Sequence, residues 1–241
     1  MSAISKIVPN DESSTHARYA AWKYVAPLPP DSLLWSVGAH DLEKFLVVGE
    51  AWAQVLNRYA TPDCRVLDIG CGCGRIARFL LNNPFFSHYI GFDVIKANVN
   101  WCSRYIRPAF RNRQCDFFYF DIYSKEYNQG GVIRAKEFVF PCEDASVGLV
   151  FAASLFTHLL ECDADRYLSE AARVLRDGGT AVFSIHVAVA PGVNYQGSEA
   201  RIDISKTYFE KMASRHGLQS MDCIDDLGGQ TVLILQRSSR C

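Results

Sequence analysis

Val66-Leu67-Asp68-Ile69-Gly70-Cys71-Gly72-Cys73-Gly74-Arg75 decides how this chain is read. The apolar run at 65–69 stops abruptly at glycines, as a buried strand does when it enters a tight turn. A helix is expected to start near Gly74 and run over 75–81. Glycines in such a turn permit positive φ and let the backbone approach a ligand closely. The turn is expected to set free amides and a helix N-terminus against an anionic or polar group. The glycines follow G-x-G-x-G, not the G-x-G-x-x-G of dinucleotide oxidoreductases. An acid, Asp68, precedes them.

On either side of this stretch the pattern is regular. Before it, Leu42, Phe45, Leu46, Trp52, Ala53 and Leu56 fall on one stripe of a helix over 41–59, with Asp41 as its cap. After it come strands at 88–92, 116–122, 147–153 and 181–185. Between them lie helices at 95–105, 163–175 and 206–216, the last closed by Gly217. Two final strands, 218–224 and 231–235, are joined by a Gly228-Gly229 turn. The expected fold is an α/β, Rossmann-like sheet of seven mostly parallel strands. Helices cover both faces, and an antiparallel hairpin ends the chain. Ligands in such sheets sit beyond the carboxyl ends of the strands, here near positions 70, 93, 121, 153 and 186. Residues 1–40 read as an N-terminal arm or cap, and 41–241 as the ligand-binding domain.

The 241 residues suit one domain with a modest appendage, and 49% hydrophobic content supplies a sizeable core. A formal net charge of −1 gives no general electrostatic hold on nucleic acid or anionic lipid. No apolar run approaches the roughly 18 residues of a membrane span. Residues 1–10 lack the layout of a signal peptide. The nine cysteines are odd in number and form no framework pattern, so reduced thiols in the cytoplasm are expected. Cys64, Cys71 and Cys73 are not spaced as a zinc site and read as small residues in tight space; no metal is expected.

A second acid, Asp93, ends the next strand, about one helix and one strand beyond the loop. An acid there accepts hydrogen bonds from both hydroxyls of a ribose, or else caps the following helix. With Asp93, the loop, Ser154-Leu155-Phe156-Thr157-His158-Leu159 and Arg173-Val174-Leu175-Arg176-Asp177-Gly178-Gly179 all in order, the chain resembles the class I S-adenosylmethionine-dependent methyltransferases. The match is to the small-molecule type, written V-L-D-x-G-C-G-x-G, and covers about 41–237. The resemblance implies S-adenosylmethionine as cofactor and S-adenosylhomocysteine as product. It implies that the loop passes the methionine part, through Asp68, Gly70, Cys71, Gly72 and Arg75. Asp93, with Val94 beside it, takes the ribose. Asp121 and the amide of Ile122 read the adenine, and the backbone of Ala152 and Ala153 touches the methionine part. The chain departs from the family at Val147-Gly148, where Phe-Asp is usual, and in a stretch at 123–138 that looks inserted. Its Tyr123, Tyr127 and Asn128 either shape the pocket near the adenine or form a surface turn.

Methyl transfer from a sulfonium is an in-line displacement in which the protein mainly aligns the reactants. An acceptor that loses a proton also needs a base. His186, after the fifth strand, and His158, after the fourth, are the catalytic candidates. His158 alternatively serves packing or a helix start. Tyr195 and Arg201 either bind a polar acceptor or belong to a surface lid. His16, His40, His88 and His216 show no partner pattern. In the arm, Trp22, Tyr24, Trp35 and the Val37-Gly38 turn offer a lid over the cofactor or simple packing on the 41–59 helix. Duplex DNA is not expected as a partner: Ala152-Ala153-Ser154-Leu155 replaces the Pro-Pro motif of amino-methylating enzymes, and Pro141-Cys142 lies before the fourth strand instead of after it. The expected acceptor is a small organic molecule methylated on O, N or C. A non-catalytic cofactor-binding regulator or scaffold is the alternative, and an NAD-dependent oxidoreductase a weaker one. Sequence leaves the oligomeric state open.

Overall fold

The computed structural model describes residues 26–239. His16, Trp22 and Tyr24 lie outside the described residues. Among the described residues there are nine strands: β1 (Cys64–Ile69), β2 (Phe86–Asp93), β3 (Gln114–Tyr119), β4 (Val147–Ala152), β5 (Leu175–Ile185), β6 (Tyr195–Ser198), β7 (Arg201–Ile204), β8 (Leu218–Ile224) and β9 (Thr231–Arg237). Seven of them make one sheet in the order β3-β2-β1-β4-β5-β9-β8, and β6 and β7 make a separate hairpin. Pairing is parallel from β3 through β5 and antiparallel for β5–β9 and β8–β9. The expected seven-stranded, mostly parallel sheet is what forms. Strand order reverses between β1 and β4, so a crevice opens beyond Ile69 and Ala152.

Strand side chains alternate between two buried layers, as a period of two demands. Val66, Tyr89, Leu149 and Phe151 face one layer, and Leu67, Ile69, Phe92, Val150 and Ala152 face the other. The first layer is closed by α2 (Leu42–Asn57) and α3 (Ala77–Leu80); the second by α6 (Glu161–Val174) and α7 (Lys206–Arg215). Asp41 caps α2 as expected, its carboxylate accepting from the Lys44 amide at 2.6 Å. α2 also lies tight on the glycine-loop region: a Cβ at Gly49 would meet the Arg75 carbonyl at 2.4 Å. Among the described residues no helix is long and apolar enough to cross a membrane.

Several elements differ from the sequence expectation. The helix expected over 75–81 is only the one turn of α3, because residues 71–76 are spent on turns. The helix at 95–105 forms as α4 (Lys96–Trp101), then a π turn at Cys102–Ile106, then α5 (Arg107–Ala109). The π turn seats Cys102 and Ile106 against Gly74, where a Cβ would approach them to 3.1 and 3.0 Å. β3 begins two residues early and stops at Tyr119, short of Asp121. β5 begins at Leu175, and the Asp177-Gly178-Gly179 turn becomes a bulge: Val147 pairs with Leu175, but Leu149 already pairs with Thr180. The bulge lets the Arg176 guanidinium lie over Gly148, 3.3 Å from where a Cβ would stand. A Cβ there would stand closer still to Cys64 Sγ, at 2.9 Å, so Gly148 has little room for a side chain. Helix α1 (Asp31–Ser36), inside the expected arm, and the β6–β7 hairpin carried no sequence signal.

Candidate functional site

The crevice at the β1/β4 switch holds a cleft of about 260 Å³. Asp68, Gly70, Cys71, Gly72 and Arg75 line it from β1 and its loop, Asp93 and Val94 from β2, and Ala153 from β4. Ser36, Val37 and Gly38 close it from the α1 side. Arg75 donates to the Val37 carbonyl at 3.0 Å, and a Cβ at Gly72 would strike Val37 Cγ1 at 2.4 Å. The segment after α1 therefore rests on the glycine loop through a contact that only glycine permits. Trp35, by contrast, is 62% exposed and meets only His40 edge-on.

The loop amides are not free, which corrects the sequence expectation. Gly70 and Cys71 both donate to the Phe92 carbonyl at 2.9 Å, and Gly72 donates to Asp93 Oδ2 at 2.8 Å. A pyrophosphate cradle needs such amides unoccupied. Here they bind the loop to β2, which favours a ligand contacted by side chains and carbonyl edges over a dinucleotide. Asp93 Oδ1 accepts from Ile95 N at 2.7 Å. Burial raises the Asp93 carboxyl, and the amides of Ile95 and Gly72 pull it back. The Asn98 side chain and the Val94 amide also act on this carboxylate, so ribose hydroxyls would share it with protein donors.

Asp68 is buried on the same cleft, and the Tyr89 hydroxyl donates to its Oδ2. Burial pushes its carboxyl up to about 7, the Tyr89 bond opposes that, and Asp93 adds to it. A carboxylate held this far up, at the wall of a cleft, is a site for a cation. S-adenosylmethionine carries an ammonium and a sulfonium, so the residues present fit that group.

β4 ends in a strained turn. Ser154 has φ +61, its amide donates to the buried Ser184 Oγ at 2.7 Å, and Thr157 Oγ1 donates to its carbonyl at 2.8 Å. A left-handed serine fixed from both sides is the kind of local strain found at functional sites. The turn presents His158, which lines the cleft. His158 Nδ1 lies 2.7 Å from the Glu199 carbonyl, and Nε2 lies 3.0 Å from the Tyr127 hydroxyl. Glu199 is at the tip of the β6–β7 hairpin. Its carboxylate accepts from the Lys125 amide at 2.7 Å and from Ser124 Oγ at 3.1 Å. A second cavity, about 470 Å³, adjoins here and shares Val94, Tyr127, Leu155, His158 and Tyr167 with the first.

The remaining candidates lie elsewhere. Ala152 is buried in the sheet, one residue short of the cleft wall. Ile122 lines the second cavity, while the Asp121 carboxylate is engaged by Tyr119 Oη at 2.8 Å and Asn128 Nδ2 at 3.0 Å. His186 lines neither cavity: its carbonyl accepts from Ile204, and burial, helped by the Arg201 guanidinium, lowers its imidazole. Tyr195 donates to the Leu159 carbonyl at 2.5 Å, and Arg201 pairs with Asp203 at 3.1 Å. Sequence reasoning missed Tyr89, Ser184 and Glu199. Only Tyr89 had a usable signal, a tyrosine on the strand next to Asp68.

Residues 67–183 match the family described as a methyltransferase domain. The sarcosine/dimethylglycine N-methyltransferase of Halorhodospira halochloris is 33% identical over 132 residues, 54% of this chain and 40% of that enzyme. The chain thus matches well under two thirds of that relative's length. Among solved structures, the 1,6-didemethyltoxoflavin-N1-methyltransferase of Burkholderia thailandensis, with S-adenosylhomocysteine bound, has a TM-score of 0.59 at 14% identity, covering 96% of this chain and 93% of that one. The [4+2]-cyclase SpnF has a TM-score of 0.61 at 15% identity, covering 79% and 82%. At these identities the likeness concerns fold alone. The loop, the strand order and the family match agree on a methyltransferase domain over residues 67–183, in a fold shared with S-adenosylmethionine-dependent methyltransferases.

Proposed function

We propose that this chain binds S-adenosylmethionine in the 260 Å³ cleft and methylates a small organic acceptor there. The observation that carries the reading is the pair of buried carboxylates, Asp68 on β1 and Asp93 on β2, beside a loop whose Gly70, Cys71 and Gly72 amides are already used. Asp93 takes the ribose hydroxyls. Asp68 faces the ammonium of the methionine part, and Arg75 its carboxylate. Gly70, Cys71 and Gly72 supply the close wall, Val94 flanks the nucleoside, and Ala153 continues the wall beyond β4. The adenine lies towards Ile122, with Asp121 held in place by Tyr119 and Asn128 on Oδ1 and offering Oδ2. The bound cofactor supplies a methyl activated by positive sulfur. The protein aligns the acceptor behind that methyl and excludes water. His158 is the better placed of the two histidines to manage a proton, and His186 has a role only if the 187–204 segment moves. Within the expected 1–40 arm, the described residues 26–40 act as a cap, with Ser36 to Gly38 as its inner edge.

Isothermal titration with S-adenosylhomocysteine and with NAD tests the reading. The expected result is micromolar binding of the first and none of the second; the reverse would end it. Transfer of labelled methyl to a panel of small alcohols, phenols and amines then tests catalysis. Binding with no transfer to any of them would favour a non-catalytic cofactor-binding protein.

A further inference from the structure

We propose that Tyr127 takes the acceptor's proton in the second cavity and that the acceptor is an apolar small molecule bearing a hydroxyl. The proposal rests on the methyltransferase reading above. It starts from a hydrogen-bond chain with a fixed direction. The Glu199 carbonyl accepts and cannot donate, so His158 carries its proton on Nδ1. A neutral ring protonated there has a bare Nε2, and Tyr127 must donate its hydroxyl to it. The Tyr127 oxygen keeps its lone pairs for a ligand, so toward the cavity it is an acceptor only.

A proton therefore has one route. As the bond to the methyl carbon forms, the acceptor's O–H proton passes to the Tyr127 oxygen. The proton Tyr127 already held passes to His158 Nε2. The imidazolium keeps its Nδ1–H on Glu199 and returns one proton to water. Charge balances, because the transfer turns a sulfonium into a neutral thioether. A free amine attacks through its lone pair with no proton removed first, so such a relay serves a hydroxyl.

The surroundings fit this use. The second cavity, about 470 Å³, adjoins the cofactor cleft, and Tyr127 and His158 line both. Ile122, Val132, Leu159 and Leu160 give it a mainly apolar wall, with Arg134, Lys136 and Asp163 also in its lining, and Val132 (80% exposed) and Leu160 (41%) leave its mouth open. Tyr127 is anchored on both sides in sequence. Ser124 and Lys125 bond to Glu199, and Asn128 bonds to Asp121 and to the Ile122 carbonyl at 3.0 Å. The 123–138 segment thus holds one phenol against one imidazole.

Tyr127→Phe and His158→Gln in the full chain test the proposal with three measurements. The first is imidazole nitrogen NMR without ligand. It is expected to show His158 as the Nδ1–H tautomer with a hydrogen-bonded Nε2, and the Nε2 signal is expected to move in Tyr127→Phe. The second is titration with S-adenosylhomocysteine, expected to change less than about 3-fold in Tyr127→Phe. The third is methyl transfer to a panel of phenols and alcohols. There kcat is expected to fall by about 10²-fold or more in both variants, with acceptor KM changing far less. An Nε2–H tautomer overturns the proposal. So does a large loss of S-adenosylhomocysteine binding with kcat intact, which would give the cavity to the adenosine instead. Transfer by the natural chain to amines alone overturns the relay but not the methyltransferase reading. Failure to bind S-adenosylhomocysteine overturns both.

Discussion

The two ends of the site are held by different kinds of contact. The glycine loop is bound to the adjacent strand: Gly70, Cys71 and Gly72 donate to Phe92 and Asp93, which β2 delivers to that height by its parallel register with β1. Tyr127 and His158 are held by three segments outside the sheet: the 123–138 stretch, the Ser154 turn and the tip of the β6–β7 hairpin. The first end follows from the topology of the sheet. The second end depends on loop and hairpin residues outside it. Specificity is therefore to be sought where the sheet contributes least.

The sharpest probe of the sheet-bound end is Asp68. Its ordinary carboxyl value is 3.8, and burial raises it to about 7 in the fold. The native state thus holds a proton that the unfolded chain releases between those values. The stability linked to this group is complete below pH 3.8 and is lost as pH rises through 7. Asp68→Asn removes that dependence. Chemical denaturation at pH 3.5 and pH 8 is expected to show natural chain and variant converging at the lower pH. At pH 8 the variant should be more stable, by up to about 4 kcal/mol. It should nonetheless bind S-adenosylhomocysteine more weakly, having lost the partner for the ammonium. A variant equally unstable at pH 8 would mean that the buried carboxylate is already compensated.

Asp93→Ala should come next in size. It leaves the Gly72 and Ile95 amides without their acceptor, and bonds to a charged group are worth about 1.5–3 kcal/mol each. The expected result is a loss of roughly 3 kcal/mol in stability and at least a 10²-fold weaker S-adenosylhomocysteine Kd by titration calorimetry. If affinity fell without loss of stability, Asp93 would serve the ligand alone and the loop would be held by Phe92.

The same contrast explains what was legible in the sequence. Strands β1 and β2, the Asp41 cap and the carboxylates Asp68 and Asp93 were readable because each is set by neighbours in sequence or by the period-two pattern of a buried strand. The free-amide reading of the loop failed because their acceptor, the Phe92 carbonyl, lies on another strand and leaves no mark on residue identity. Tyr127 was legible as either a pocket wall or a surface turn, and the sequence could not choose between them. Its position depends on Glu199, which reaches Ser124 and Lys125 from a hairpin with no sequence signal. β5 was entered late because the Asp-Gly-Gly turn signal is genuine, yet it is absorbed as a bulge within the strand.

Gly72→Ala presses on the seam between loop and cap with a smaller expected effect. The residue has φ +53, which costs alanine about 1–2 kcal/mol, and the new Cβ would stand 2.4 Å from Val37 Cγ1. The segment after α1 must move off the loop. A loss of about 2 kcal/mol by denaturation is expected, with protease cleavage near Val37 becoming faster. Unchanged cleavage would show that the loop yields and the cap does not.

Tyr89→Phe should have the smallest effect and separates electrostatics from shape. The ring stays packed in the same layer beside Phe117, at 5.5 Å between centroids, so the core changes little. What disappears is the donor that favours ionised Asp68. The carboxyl then titrates above 7, and near neutrality a smaller fraction is charged to meet an ammonium. S-adenosylhomocysteine affinity at pH 7 is expected to fall by about 3- to 10-fold, roughly 1 kcal/mol, within the range of one hydrogen bond. Affinity should recover as pH is raised further, since the carboxylate forms without help from the phenol. The Kd–pH curve of the variant should therefore be that of the natural chain displaced to higher pH. A loss independent of pH would mean that Tyr89 acts by holding the β1–β2 register, and the glycine-loop end would then depend on side-chain packing as much as on backbone bonds.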